Sequence, residues 1–399
     1  VEWEKIYGAE PSEKSLAMRF EGIIKRACRQ EGQRVAILVD EYDKPMLQAI
    51  GNDALQKSFR NTLKAFYGAL KSQDGCIKFA MLTGVTKFGK FSVFSDLNNL
   101  NDISMWNKYI DICGVSEQEL YDNLDAELHE FANVQGVTYE EICVRLKEMY
   151  DGYHIGNQDI YNPWSIMNYA KRKKLISYWV NTSANSMIKT ALKQANYTFK
   201  NQYDKLIKDG KLDTYVSMQT SFFEEADNST LWGLFVNAGY LTVTKEIDLL
   251  KGKYRIEIPN KEVKQEFIKL TEYQLGLSSG TLDTVTESLA KEDQETFLES
   301  YQEILMVPSY HDLQKENSYH MMMLGMCLCL NKDYEIISNR EVGKGRDDLI
   351  LKAKDEKKTS FVLEFKYLKE DKKDLEKALD ELSNKAIQQI KDRKYDYNL

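Results

Sequence analysis

Val35-Ala-Ile-Leu-Val39 is an unbroken apolar run that stops at the polar string Asp40-Glu41-Tyr42-Asp43-Lys44-Pro45. A run without polar alternation does not suit a half-solvated antiparallel strand. It reads as a parallel strand buried on both faces, delivering its acids to the carboxyl end. Upstream, Leu16, Phe20, Ile23, Ile24 and Ala27 recur at helical spacing, and Gly32 supplies a stop. Downstream, Leu55, Phe59, Leu63, Phe66, Tyr67 and Leu70 mark a second helix. Ile77-Lys-Phe-Ala-Met-Leu82 then reads as a second buried strand, ending at Thr83-Gly84. Strand, helix, strand in this order predicts a βαβ unit of the α/β class.

A chain of 399 residues exceeds one ordinary core, so two or three domains are expected. With 43% hydrophobic and 29% charged residues and only five prolines, it is a folding chain and not a disordered one. No run approaches the ~18 apolar residues of a membrane span. The start, Val-Glu-Trp-Glu-Lys, lacks a secretory signal, so we expect a cytoplasmic protein with no membrane partner. The six cysteines form no CxxC pair and there are only four histidines, which excludes zinc-finger spacing. A net charge of −8 argues against an electrostatic coat for nucleic acid but leaves room for a local basic groove.

From about Ser116 to Lys200 the periodicity is mainly helical, broken by Tyr150-Asp-Gly-Tyr153 and Tyr161-Asn-Pro163. Leu231 to Val243 and then Tyr254 to Ile258 read as a helix followed by strands, a winged-helix-like pattern. Apolar density falls across Ser278 to Asp293, the expected linker. Beyond it we expect a buried, Met-rich helix from Lys315 to Leu330. Three strands follow (Tyr334 to Val342, Asp348 to Ala353, Ser360 to Leu368), and then a helix from Asp374 to Lys394. The expected division is 1–115, 116–277 and 278–399, the last in αβββα order.

Two acidic constellations carry chemistry. An acid pair such as Asp40-Glu41 at a strand end is how phosphate-hydrolysing proteins hold Mg²⁺ with one carboxylate and orient the attacking water with the other. Thr83, at the end of the neighbouring strand, could hydrogen-bond a γ-phosphate or that water. The bland reading is a solvated loop. A phosphate loop of the form G-x-x-x-x-G-K-[ST] should accompany the pair, and none precedes Asp40 in these residues. Gly84-Val-Thr-Lys-Phe-Gly89-Lys90 matches seven places, but Phe91 replaces the hydroxyl residue and no helical pattern follows; we read it as a decoy. ATP with Mg²⁺ is therefore expected only if a phosphate loop lies upstream.

The second constellation is Asp348, Glu364 and Lys366. Period 2 points Glu364 and Lys366 to one sheet face, and charged groups continuing the Phe361 to Leu363 strand are costly unless partnered. Carboxylates of Asp348 and Glu364 sharing Mg²⁺, with a lysine beside them, is an arrangement for phosphodiester hydrolysis. Glu341 and Arg346 could join, and Asp347 leaves a one-residue ambiguity. A structural Glu–Lys pair is the alternative. His320, on the Met-rich helix, reads as a core residue.

Val39-Asp-Glu-Tyr-Asp-Lys-Pro45, Thr83-Gly-Val-Thr-Lys-Phe, Phe94-Ser-Asp-Leu-Asn-Asn-Leu-Asn-Asp102, Cys113-Gly-Val-Ser-Glu, Tyr150-Asp-Gly-Tyr153 and Tyr161-Asn-Pro163 resemble the bacterial AAA-ATPase-like proteins that carry a C-terminal PD-(D/E)XK nuclease-superfamily domain. Gly345-Arg-Asp-Asp348, Glu364-Phe-Lys366 and Ala386-Ile-Gln-Gln389-Ile resemble that family's C-terminal half. The resemblance implies a P-loop NTPase-like parallel sheet whose phosphate loop is missing from this chain. It also implies a helical or winged-helix-like middle and a restriction-endonuclease-like αβββα domain. It places the family's acid, acid, lysine and glutamine on Asp348, Glu364, Lys366 and Gln389. Asp40 and Asp348 with Glu364 are then the metal-binding acids, Asp40, Glu41 and Thr83 serve the nucleotide, and Glu41 joins the catalytic set. The expected function is Mg²⁺-dependent cleavage of DNA or RNA gated by nucleotide, with self-association through the ATPase-like domain. The alternative is a catalytically degenerate scaffold that binds a partner through the same folds.

Overall fold

The computed structural model describes residues 2–86, 94, 97, 100–179, 184–193, 195–219, 226–305, 329–330, 333–337, 349–364, 366 and 375–393, apart from isolated residues within these spans whose side chains are left out. After a short helix α1 (Glu2–Tyr7), helix α2 (Leu16–Glu31) begins where the Ser15 hydroxyl accepts the Met18 N–H at 3.2 Å. It ends at Gly32, whose φ of 66° suits the left-handed stop. Strand β1 (Val35–Val39) is followed by a short helix α3 (Lys44–Gln48), where the sequence suggested only a polar loop. Pro45 sits in its first turn, where a missing N–H costs nothing. Helix α4 (Asp53–Ser72), capped by Asn52, leads to strand β2 (Ile77–Leu82).

The two strands pair in parallel, Val35 opposite Ile77 and Val39 opposite Leu82, completing the expected βαβ unit. Among the described residues this parallel sheet has two strands. The reading of Val35–Val39 as buried on both faces is corrected. Ile37 is 9% exposed, within a core with Ile24, Met46, Tyr67 and Leu70, whereas Leu38 is 75% exposed and Phe79 52%. Burial of a side chain like Ile37 stabilises by roughly 1.5–3 kcal/mol, and Leu38 forgoes that gain on the side opposite the core.

The middle region forms its own core. Helix α5 (Glu117–Gln135) opens on a capping box between Ser116 and Glu119, and helix α6 (Tyr139–Tyr150) on a Thr138 cap. A hairpin, β3 (Tyr153–Ile155) and β4 (Gln158–Ile160), was not foreseen; it is too short for a periodic signal. Helix α7 (Pro163–Arg172) follows. Phe131, Leu146, Tyr150, Tyr161 and Tyr169 are buried together, so the two aromatic motif strings serve packing. Gly152 has φ 96°, and a Cβ there would lie 2.1 Å from the Pro259 carbonyl oxygen, so only glycine fits.

Helices α8 (Ala184–Lys193) and α9 (Tyr197–Asp209) lead to strand β5 (Lys211–Tyr215), helix α10 (Asn228–Asn237) and strands β6 (Thr242–Asp248) and β7 (Lys253–Glu257). The expected helix and two strands are present. Strand β5 was missed, and it pairs antiparallel with β7 in the order β5-β7-β6. Helix α10 buries Leu231, Trp232, Leu234 and Phe235.

The chain divides into two compact units, 1–201 with 211–263, and 202–210 with 264–399. Helix α11 (Lys261–Leu275) precedes α12 (Thr281–Ala290) and α13 (Gln294–Leu305). The segment expected to be a linker thus contains a helix. Of its few apolar residues Leu282 and Val285 are fully buried and Leu289 half-buried, which low average density concealed. Strands β8 (Tyr334–Ile337), β9 (Leu349–Ala353) and β10 (Phe361–Leu363) form an antiparallel sheet in the order β10-β9-β8, and helix α14 (Leu375–Arg393) follows. The Met-rich segment 315–328, including His320, lies outside the described residues. Among the described residues no helix is long and apolar enough to cross a membrane.

Candidate functional site

In the C-terminal sheet Leu363 stands opposite Leu349, and Glu364 is the next residue, just past the end of β10. Its side chain is 1% exposed. Lys366, two residues on, donates from Nζ to Glu364 Oε1 at 2.5 Å and to Gln389 Oε1 of α14 at 2.7 Å. Three of the expected residues therefore converge, one from each of two strand-end positions and one from the facing helix. Asp348, Glu341, Arg346 and Asp347 lie outside the described residues.

The other oxygen, Glu364 Oε2, is buried and has no hydrogen-bond partner among the described residues. A buried carboxylate oxygen without a donor loses its hydration uncompensated, at a cost of about 1–3 kcal/mol or more. A hard cation at that oxygen would remove the deficit, so this one oxygen suits a single ligand position of a divalent metal. Among the described residues no group of three or more ligand side chains is gathered. Glu364 is a single acid, and further ligands would have to come from beyond the described set.

At the other end of the chain, Thr83 N–H donates to the Val39 carbonyl at 2.8 Å and Tyr42 N–H to the Thr83 carbonyl at 2.9 Å, tying the two strand ends together. The Thr83 hydroxyl then donates to Asp40 Oδ1 at 2.5 Å, and the same oxygen accepts the Glu41 N–H at 3.0 Å. Asp40 and Thr83 thus meet, on an exposed strand end. Glu41 adopts a left-handed φ of 51°, an uncommon state for a residue with a side chain. Its carboxylate pairs with Lys44 and holds the Lys44 ammonium above its ordinary pKa. The structure turns Glu41 to Lys44, while Asp40 faces Thr83.

Sequence reasoning passed over Asp43, which is wholly buried. Its Oδ2 accepts the Val85 N–H at 3.0 Å, the Thr86 N–H at 2.5 Å and the Thr86 hydroxyl at 2.7 Å. Those backbone donors are therefore engaged, and a phosphate cradle needs them free. At Val85 and Thr86 this accords with the decoy reading, and residues 87–90 of that string lie outside the described residues. It also passed over Glu262, equally buried, which accepts the Ser165 hydroxyl at 2.7 Å and the Tyr178 and Trp179 N–H groups at 2.5 and 2.9 Å. No local signal marks either acid: both sit in polar stretches, and their donors lie 42 to 97 residues away.

Two family profiles match the chain. One, described as a predicted AAA-ATPase, covers residues 1–94, and the other, the PD-(D/E)XK nuclease superfamily, covers residues 314–399. A protein of Azotobacter chroococcum mcd 1, described as an uncharacterized protein in the vnfD 5' region, is 31% identical over 262 residues. The match takes in 65% of this chain and 47% of that protein, so the chain spans about half the length of this curated relative. No solved structure matches. The chain carries a predicted AAA-ATPase-like domain at residues 1–94 and a PD-(D/E)XK nuclease-superfamily domain at residues 314–399.

Proposed function

We propose that this chain is a Mg²⁺-dependent nuclease whose C-terminal domain hydrolyses phosphodiester bonds of DNA or RNA under the control of a nucleotide-responsive N-terminal domain. The observation that carries the reading is the buried, unpartnered Oε2 of Glu364 beside an ammonium held by two acceptors. The likeness of Gly345-Arg-Asp-Asp348 to the nuclease superfamily's motif supports Asp348 as the second metal-binding acid. When bound, the cation polarises the scissile phosphate and makes a water more acidic.

The chain's own groups do the rest. Glu364 fixes one side of the metal position. Lys366, kept near it by Gln389, neutralises charge developing on the phosphate or orients the attacking water. Gln389 takes no proton; it restrains the Lys366 ammonium. In the N-terminal domain, Asp40 and Thr83 would meet the metal and phosphate end of a nucleotide, and Glu41 would have to leave Lys44 to orient water there. The three-part division at 115 and 277 and a cytoplasmic location belong to the same proposal. So does a winged-helix-like middle, which the order β5-β7-β6 after α9 supports.

One observation favours the scaffold reading: Lys366 is already engaged by Glu364 and Gln389, as a structural pair would be. Incubation of plasmid DNA and of single-stranded RNA with the chain and Mg²⁺ separates the two. The nuclease reading expects cleavage that Glu364→Ala and Lys366→Ala each abolish. Cleavage undiminished by both removes Glu364 and Lys366 from the catalytic set, and no cleavage with any divalent metal favours the scaffold.

A further inference from the structure

The Asp40–Thr83 contact depends on where the chain after β2 is held, and the residue that holds it is Asp43. Its carboxylate, wholly buried, gathers three donors from Val85 and Thr86 onto one oxygen. Two further bonds act in the same place. The Tyr42 hydroxyl donates to the Thr86 carbonyl at 2.5 Å, and the Tyr67 hydroxyl of α4 donates to the Tyr42 carbonyl at 3.4 Å. A Cβ on Gly84 would lie 2.7 Å from Asp43 Oδ1 and 2.6 Å from Tyr42 Cε1, so the backbone at 84 comes close only because no side chain is there. Thr83, one residue before this clamp, has its backbone bonded to Val39 on one side and Tyr42 on the other. Its hydroxyl, on a backbone held at both ends, donates to Asp40 Oδ1 at 2.5 Å.

We infer that Asp43 is a positioning residue: its buried carboxylate clamps residues 84–86 against the β1 loop and so keeps the Thr83 hydroxyl on Asp40. A charged acceptor is the suitable group, because hydrogen bonds to an ionised oxygen are roughly twice as strong as neutral ones. Asp43 touches neither nucleotide nor metal in this account. The inference rests on the reading of Asp40 and Thr83 as a metal and phosphate contact only for its consequence in binding; the clamp itself rests on the bonds just described.

The test is amide hydrogen exchange on the whole chain with Asp43→Asn and Asp43→Ala, accompanied by Mn²⁺ titration of the same proteins and of Asp40→Asn. Asp43→Ala should speed exchange at Val85 and Thr86 by about tenfold or more, the loss expected for a charged acceptor. Amides of α5 and α10 should stay at the rate of the unaltered chain. Asp43→Asn, which keeps an acceptor oxygen without the charge, should restore about half of the protection, and the effect of both variants should stay confined to residues 83–86, which a purely fold-stabilising role would not give. Unchanged exchange at residues 83–86 in Asp43→Ala overturns the inference. So does an equal rise throughout the chain. If Asp43→Ala loosens residues 83–86 while Asp40→Asn leaves Mn²⁺ binding untouched, the clamp stands and the metal reading of Asp40 falls.

Discussion

Glu262 and Glu364 are both buried carboxylates, and they differ in what completes them. Glu262 is fully buried and answered by three donors, Ser165 Oγ and the Tyr178 and Trp179 amides, all within one unit. Glu364 has a 1% exposed side chain, a lysine on one oxygen and nothing on the other. Burial alone therefore does not mark a site. A fully satisfied buried acid is a fastening; an oxygen without a donor, as on Glu364 and also on Asp43 Oδ1 and Asp151 Oδ1, leaves a deficit that a proton or a ligand can relieve, so the ligand reading of Glu364 rests also on Lys366 and Gln389 beside it.

That contrast predicts opposite responses to substitution. The largest effect should be on activity: Glu364→Ala lowers Mg²⁺-dependent cleavage by about a thousandfold, the several kcal/mol a metal supplies, while leaving the melting temperature the same or higher. Initial rates and thermal unfolding on one preparation check both. A loss of stability as large as the loss of activity would make Glu364 a fastening like Glu262. Next in size, Glu262→Ala strands three donors and should cost about 3 kcal/mol of stability, with Glu262→Gln recovering part of it, as read by chemical denaturation. If Glu262→Ala is neutral, its three bonds are not what holds the segment at residues 176–179.

Gln389→Ala should reduce cleavage by about tenfold, since it only restrains Lys366, and should leave stability nearly unchanged. An effect equal to that of Glu364→Ala would mean that Gln389 itself touches the reacting groups.

The smallest effect concerns Asp151, an intermediate case. It is 4% exposed, its Oδ1 has no partner, and Lys147 stands 4.0 Å from its other oxygen. Burial raises its pKa above the ordinary carboxylate value, more than the Gly152 N–H and Lys147 lower it. The native state then holds that proton more tightly than the unfolded chain does. Its contribution to stability is full below the ordinary carboxylate range and is lost as pH rises through the raised native value. Asp151→Asn should flatten this slope in denaturation measured from acid to neutral pH. An unchanged slope would assign the pH response to other groups.

Much of the frame was legible in the sequence because it is local. Gly32 stops α2 as read from the sequence, whereas Glu364 and Lys366 bond just beyond a strand that ends at Leu363, so strand periodicity is not what brings them together. What stayed hidden depends on partners distant along the chain. Nothing local tells that Glu262 meets Ser165 or that Asp43 meets Thr86, since the donors are 97 and 43 residues away. The alternation of Ile37 and Leu38 was equally invisible, because an apolar run does not say which of its faces is covered. Helix α12 was lost for the complementary reason: few apolar residues suffice when two of them, Leu282 and Val285, are fully buried.

The most direct test of the central claim is calorimetric titration of Mn²⁺ into the chain and into Glu364→Gln, which keeps the shape of the side chain and removes its charge. The account predicts a metal site in the unaltered chain that disappears in Glu364→Gln. Identical binding isotherms for the two proteins, or no binding to either, would contradict it.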